Sequence, residues 1–462
     1  MPTKNPLIEE KPYTNKTALI IGMARSGQAA AKLVHAAGGR VLLYDRKKGE
    51  EFEYLSMLAD LEDINWHLGE DINPLYREAD FSVISPGIPP TAPDIQGAVE
   101  AGLPVYGELE LASTLIPCPV YAVTGTNGKT TTVSLLGDML KKGGFLTHVA
   151  GNIGYPLSAS ALLATPDDRI VVEVSSFQLE TAITFHPTAA AVLNITPDHL
   201  DRHGSMEAYI ALKKRVFQNM TAQDTAVLNQ DDALCAGMAE GIRARVLWFS
   251  RKNEVSQGTF LREGQIVLRA SGAEKIICPV EEIKIPGQHN VENALAAVAL
   301  ASVAGIPAPV IRHSLRTFPG VEHRIEYVRE VNDVWYINDS KGTNPDSTQK
   351  AVEAMQVPTV LILGGRDKKT SFEALAETIR LSPNIHHIVL MGEAADVLEK
   401  ALRGKDIDSI SLASSLEDAI YQAKEKAARN GAVLFSPACA SFDMFNNYEE
   451  RGRCFKAIVQ AL

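Results

Sequence analysis

Cysteine is scarce in this sequence. Five residues (Cys118, Cys235, Cys278, Cys439 and Cys454) are scattered, and none forms a CxxC pair. That excludes a disulfide scaffold and a cysteine zinc site and suits a reducing compartment. No apolar run approaches the ~18 residues that a membrane span needs. The first sixteen residues are polar and broken by proline, so no signal peptide is expected. Basic charge is also short: 45 Lys and Arg stand against 56 Asp and Glu, a net charge of −11. Such a balance argues against a general nucleic-acid binder, although a local phosphate site remains compatible with it. No repeat or low-complexity segment stands out. The cytoplasm, no membrane, no nucleic acid and a monomeric chain are the expectations.

What is present is apolar α/β material. Of 462 residues, 45% are apolar and 22% charged, which suggests about three domains at ~150 residues each. The informative stretch is 119–140. The apolar run 119–123 reads as a buried strand. Gly125-Thr126-Asn127-Gly128-Lys129-Thr130 follows, with Thr131 behind it. An amphipathic run then opens (Val133, Leu135, Leu136, Met139, Leu140), as a helix would. Strand, glycine loop and helix make a phosphate loop: backbone N–H groups and the helix start face an anion. Lys129 would reach the β- and γ-phosphates, and the Thr130 hydroxyl would hold Mg²⁺. Val123 stands where the usual motif has its first glycine. The alternative is a glycine turn with a chance lysine, against which the agreement of all three elements counts.

Upstream, strands are expected at 17–21 and 40–44, joined by a helix to residue 37, with a third strand at 81–84. The first turn, Gly22-Met23-Ala24-Arg25-Ser26-Gly27, has alanine where a dinucleotide fingerprint needs its middle glycine. A diphosphate without nicotinamide is the related reading, and a plain α/β turn the bland one. Downstream, Glu173 lies inside an apolar strand. That is costly unless the carboxylate is paired or metal-bound, and an edge strand facing water is the alternative. His199 follows the strand at 190–195. Lys213-Lys214-Arg215 sits on a helix from 206 to about 219, ordinarily a solvated face. Asn290 and Asn293 open an Ala-rich helix, where they could cap it or meet a base. Beyond 320 a β/α rhythm returns, with polar clusters after each strand, as in a doubly wound sheet. Boundaries near 112 and 320 divide the chain into 1–112, 113–320 and 321–462.

TGTNGKTT (124–131), GNIG (151–154), EVSSFQLE (173–180), NITPDHLDRH (194–203), GQHNVENALAA (287–297), HR (323–324), NDSKGTN (338–344) and SPACASFDMFNNYEERG (436–452) together resemble the Mur ligases of peptidoglycan synthesis. NDSKGTN and SPACAS point to the D-glutamate-adding branch. The resemblance implies three α/β domains: Rossmann-like, a central phosphate-loop ATPase-like parallel sheet, and Rossmann-like again. It implies an ATP-dependent, ADP-forming acid–amino-acid ligase that adds D-glutamate to UDP-N-acetylmuramoyl-L-alanine through an acyl phosphate. A folylpolyglutamate-type or other Mur-type amide ligase is the alternative.

The site assignments carried by the resemblance are these. Mg²⁺ has two sites, one at Thr130 and Glu173 and another at His199. Lys213 carries a carbamate made from CO₂; the residues alone do not separate it from Lys214. Lys129, Glu173, His199 and Lys213 are catalytic. Gly22 to Gly27, Asp45, Arg46 and Ser85 hold the uridine diphosphate, and Asn152 and Ser175 the muramoyl-alanine end. ATP takes Gly125 to Thr131, Asn290, Asn293, His323, Arg324 and Asp339. D-glutamate takes Lys341, Thr343, Lys368, Ser441 and Tyr448. A phosphate-loop NTPase without acyl chemistry and a catalytically degenerate nucleotide-sugar binder are the competing functions. The intact set Lys129, Thr130, Glu173, His199 and Lys213 disfavours the second of these. The lysines beyond 320 disfavour the first.

Overall fold

The computed structural model describes residues 5–48, 58, 64–153, 155–270, 272–285, 287–367 and 370–462. They form three sheets. The first has β1 (Thr17–Ile21), β2 (Arg40–Asp45), β3 (Ile64–Leu68), β4 (Phe81–Ile84) and β5 (Val105–Gly107). All are parallel, in the order β3-β2-β1-β4-β5. The strand at 81–84 is therefore the fourth, not the third. Only Ile64 of β3 is buried, so this edge strand lacks the apolar run that marks β1 and β2. The strand order reverses between β1 and β4. Their carboxyl ends lead into the Gly22 turn and Ser85, the crevice where open α/β sheets take ligands.

The second sheet has β6 (Val120–Thr124), β7 (Thr147–Gly151), β8 (Arg169–Glu173), β9 (Ala189–Val192), β10 (Thr225–Asn229), β11 (Arg245–Ser250), β12 (Gly258–Arg262), β13 (Gln265–Ala270) and β14 (Ala273–Pro279). The order is β14-β13-β12-β11-β10-β9-β6-β8-β7. The expected parallel sheet is present and carries an antiparallel extension. Strands β6 to β12 are parallel, but β12, β13 and β14 pair antiparallel, which makes the sheet mixed. The added strands carry Arg262, Arg269 and Glu274, which form an exposed ion-pair cluster with Glu254 from the segment before β12. Their charges mask the apolar alternation a strand reading needs. All five residues of β6 are buried, and the helix Lys129–Lys142 buries Val133, Leu135, Leu136, Met139 and Leu140 beside it. Because β6 lies between β8 and β9, three loops leave adjacent carboxyl ends: the phosphate loop, the segment after Glu173 and the segment from 194 to 203.

The third sheet has β15 (Glu326–Val331), β16 (Val334–Asn338), β17 (Thr359–Gly364), β18 (Ile385–Met391), β19 (Ile410–Ala413) and β20 (Ala432–Phe435), in the order β15-β16-β20-β17-β18-β19. Only β15 runs antiparallel. Its two faces bury separate apolar clusters. Residues up to 283 together with 292–318 form one compact unit. Residues 284–291 with 319–462 form another. No described helix is long and apolar enough to cross a membrane.

Candidate active site

The phosphate loop is held from outside by the segment after β9. The Thr126 N–H donates to the Asn194 carbonyl at 2.9 Å. The Asn127 N–H donates to Asn194 Oδ1 at 2.8 Å, and Asn194 Nδ2 returns a bond to the Asn127 carbonyl at 3.1 Å. Lys129 Nζ lies over the loop, donating to the carbonyls of Gly125 (2.9 Å) and Thr126 (2.7 Å). Gly128 has φ +85°, and a Cβ there would stand 2.1 Å from Asn293 Oδ1. Strain and collision act together. Gly128→Ala is therefore expected to weaken binding of the nucleotide expected at this loop by roughly tenfold, read by titration calorimetry with ADP.

Lys213 closes the loop from beneath. It is the penultimate residue of the helix Met206–Lys214 and is 2% exposed. Its Nζ donates to the Gly125 carbonyl at 2.8 Å and lies 4.6 Å from the Tyr209 ring centre. Tyr209, one turn earlier, places its hydroxyl 3.1 Å from Thr126 Oγ1. Burial, reinforced by the positive charge of Lys129, holds the Lys213 amine well below its ordinary 10.5; Asp198, Cys235 and Glu173 oppose this. A solvated helix face is thereby excluded for Lys213. Glu173 is 1% exposed. It stands at the end of the interior strand β8, paired with Val123 on one side and Gly151 on the other, so it is not on an edge facing water. Its Oε1 accepts from Asn152 Nδ2 at 3.0 Å. His199 takes φ +52°. Its ring meets Phe177 edge-on at 4.9 Å, and its Nε2 is 3.6 Å from Asp198 Oδ2. Ser175 caps the short helix Ser176–Leu179 in a capping box with Gln178.

At the first sheet, the Gly22 turn is packed too closely for side chains at its return. A Cβ on Gly27 would fall 1.8 Å from the Gly22 carbonyl oxygen. Ala24 precedes the helix Arg25–Ala36, whose second residue is Ser26. Asp45 accepts the N–H of Met23 (2.9 Å) and of Lys47 (3.0 Å), so it shapes the turn. Arg46 pairs with Asp94 at 2.6 Å. Ser85 Oγ donates to the Gly22 carbonyl at 3.2 Å, which links the two turns.

The second unit has its own cluster. Asp339 follows β16 and is 2% exposed. Its carboxylate accepts from Ser436 Oγ (2.6 Å) and the Ile325 N–H (3.1 Å). Burial pushes its pKa up to about 6, against the pull of Arg324. His323, at φ +65°, lies buried with Nδ1 2.9 Å from Asn338 Nδ2. Lys341 Nζ donates to the Tyr448 hydroxyl at 3.1 Å. Ser441 is buried, and Thr343 N–H donates to the Lys341 carbonyl at 2.9 Å. Asn290 belongs to this unit, whereas Asn293 belongs to the first. Lys368 lies outside the described residues. A carboxyl with a raised folded value is unburdened at low pH and costs stability once ionised. That cost develops as pH rises from about 4 through about 6, to about 3 kcal/mol at 1.36 kcal/mol per pH unit. Asp339→Asn is expected to remove this pH dependence in denaturant unfolding of the full chain.

Family models match the chain in order: a Mur ligase MurD-like N-terminal domain over residues 16–107, a Mur ligase middle domain over 123–301, and a Mur ligase glutamate ligase domain over 323–439. The UDP-N-acetylmuramoylalanine–D-glutamate ligase of Pelotomaculum thermopropionicum is 45% identical over 456 residues, 98% of this chain and 99% of its own length. The chain belongs to the Mur ligase family. The protein of the same name from Caldanaerobacter subterraneus subsp. tengcongensis is 44% identical over 97% of this chain and 98% of its own. Among solved structures, the UDP-N-acetylmuramate-alanine ligase MurC of Thermotoga maritima has TM-score 0.62 at 19% identity, covering 96% of this Mur ligase and 99% of its own chain. A pseudomurein peptide ligase type C from Methanothermus fervidus gives 0.61 at 20%, covering 97% and 100%. At such identities these two speak for the fold alone.

Asn194, Tyr209 and Arg451 of this Mur ligase were not singled out from sequence. Tyr209 carried one usable signal, its place four residues before Lys213 on a helix. Arg451 is fully buried. Its guanidinium bonds Ser340 Oγ and O and the carbonyls of Cys439 and Ala440 at 2.8–3.2 Å. It thereby joins the two loops expected to meet D-glutamate.

Among the described residues no three His, Cys, Asp or Glu side chains gather into a ready-made metal site. The donor set nevertheless fits Mg²⁺, a hard cation that keeps water and phosphate oxygens and asks the protein for one or two carboxylates. The Thr124 and Thr131 hydroxyls are also buried beside the loop without a hydrogen-bond partner, as suits a site built to take a polar ligand.

Proposed function

We infer that this chain joins D-glutamate to the alanyl carboxyl of UDP-N-acetylmuramoyl-L-alanine, converting ATP to ADP and phosphate. Its substrate is nucleotide-activated, so it is read as a cytoplasmic enzyme of peptidoglycan precursor synthesis, acting as a monomer. The reading rests on the relatives' named activity and on one observation: a buried lysine lies under a phosphate loop, one strand from a buried glutamate.

The physical problem is repulsion. An anionic carboxylate must attack the γ-phosphorus of a polyanion. Lys129 and the loop N–H groups gather the phosphate charge, and they strengthen their hold as it shifts in the transition state. Thr130 and Glu173 would hold one Mg²⁺. His199 and a carbamate on Lys213 would hold another. Bound there, Mg²⁺ supplies the charge neutralisation that lets carboxylate and phosphate approach. An amine adds CO₂ only when neutral, and burial of Lys213 favours that state. Asn152 and Ser175 would orient the muramoyl-alanine end. Carboxylate oxygen bonds to phosphorus and ADP leaves. The D-glutamate amine then attacks the acyl carbon, phosphate leaves and the nitrogen loses its proton.

Gly22 to Gly27, Asp45, Arg46 and Ser85 would seat the uridine diphosphate. Asn290, Asn293, His323, Arg324 and Asp339 would meet the adenosine side, with Asp339 accepting from ribose. Lys341, Thr343, Lys368, Ser441 and Tyr448 would receive the dianionic amino acid. A phosphate-release assay tests the reading. Release is expected only with nucleotide sugar, Mg²⁺ and D-glutamate together, and not with L-glutamate, L-alanine or L-lysine. Full-rate hydrolysis of ATP alone would instead mark a phosphate-loop NTPase.

A further inference from the structure

Arg202 is a part of the 194–203 segment to which neither the sequence reading nor the proposed chemistry gives a task. It lies in the short turn of helix Leu200–His203, which starts directly from His199. Its guanidinium carbon stands 4.0 Å from the Phe177 ring centre. Its fork meets Glu180 twice, Nη2 to Oε2 at 2.6 Å and Nε to Oε1 at 3.1 Å. Nη1 points to the Pro86 carbonyl, at 3.4 Å, in the turn after β4. Both partners are largely covered, at 17% and 12% side-chain exposure, so solvent competes little for the pair.

The ring that Arg202 covers is the one against which the His199 imidazole rests, edge-on at 4.9 Å. Nearby groups brace the same ring and its anchor. His203 packs 5.4 Å from Phe177 and places Nε2 3.0 Å from Ser176 Oγ. Arg215 donates to the Glu180 carbonyl at 3.0 Å. His199 itself sits in a left-handed backbone conformation, and its Nε2 lies 3.6 Å from Asp198 Oδ2. A planar guanidinium can lie flat on an aromatic face and bind a carboxylate at two points at once. A lysine ammonium cannot do both.

We propose that Arg202, locked by Glu180, is a positioning residue that fixes the Phe177 ring and through it the orientation of the His199 imidazole. The proposal rests on the reading that His199 works at the substrate carboxylate. A misplacement of about 1 Å at a reacting group costs on the order of 100-fold in rate.

The test is Arg202→Lys in the full chain, with Glu180→Asp as a second variant that keeps both charges but shortens the anchor. kcat is expected to fall roughly 10- to 100-fold. KM for ATP and for the nucleotide sugar should stay within about twofold, since uniform binding is untouched. The deciding readout is independent of activity. Histidine ring signals are recorded by NMR on ligand-free protein, with His199 identified among the eleven histidines through His199→Gln. The ring-current displacement of His199 by Phe177 should collapse in both variants while histidines of the third sheet keep their shifts. An unmoved His199 signal overturns the proposal whatever the rate does. So does wild-type kcat, and so does movement of every histidine signal, which would make Arg202 a general support of the fold.

Discussion

Lys213→Ala is expected to lose about 1,000-fold or more of ligase activity while the protein stays folded. Lys213→Met should show the same loss with an unchanged or higher melting temperature. The reason is the environment of the amine. It is 2% exposed, rests on the Gly125 carbonyl, and is held well below 10.5 by burial and by Lys129. A group kept for its chemistry in such a place is a burden on the fold. The sign can be worked out. Between the depressed folded value and 10.5, the unfolded chain binds the extra proton, so wild-type stability rises with pH across that window. The methionine variant has no such dependence. In CO₂-free buffer its stability advantage should therefore be largest at and below the depressed folded value and shrink as pH climbs towards 10.5. Lys213→Arg should be as inactive as the alanine variant, because a guanidinium cannot be deprotonated to take up CO₂. With ¹³C-bicarbonate, a carbamate carbon signal should be present in the wild type and missing from all three variants. An active Lys213→Ala enzyme would remove the lysine from the mechanism.

Glu173→Gln is expected to lower kcat by at least about 100-fold and to raise the Mg²⁺ concentration needed for half-maximal rate. The substitution preserves volume and leaves an amide oxygen for Asn152, which now donates to Oε1 at 3.0 Å. Only charge is removed. Because β8 is interior and Glu173 is 1% exposed, the missing charge cannot be replaced from solvent. Melting temperature should hold or rise, since an ionised carboxylate in an apolar sheet is costly to bury. A Gln variant with unaltered metal dependence would mean that Glu173 is a structural residue paired with Asn152.

Of these two residues Glu173 is legible in the sequence for a local reason, whereas Lys213 enters only through the family resemblance. The phosphate loop announces itself because strand, glycines, lysine and helix follow one another within about twenty residues. Glu173 is conspicuous because a charge interrupts an apolar run. Lys213 could not be told from Lys214 by residue type. Their difference is environmental: Lys214 reaches the Glu240 carbonyl on the surface, whereas Lys213 lies under the loop. Asn194, Tyr209 and Arg451 escaped because their partners are remote in sequence. Tyr209 meets a residue 83 positions away, and Arg451 one 111 positions away. No short window contains such a pair. The antiparallel extension β12–β14 is only partly visible, since β13 has an apolar centre but β12 ends on Arg262 and β14 opens on Glu274 and Lys275. A helix start was read well where glycine punctuates it, as at Gly128.

The central claim is that the muramoyl-alanine carboxylate is itself phosphorylated before the amide bond forms. An isotope measurement tests it most directly. UDP-N-acetylmuramoyl-L-alanine carrying ¹⁸O in both oxygens of its terminal carboxylate is turned over with ATP, Mg²⁺ and D-glutamate, and the released phosphate is weighed by mass spectrometry. The account predicts one ¹⁸O in each phosphate and one retained in the new amide carbonyl. Phosphate free of ¹⁸O, formed alongside amide product, would contradict it.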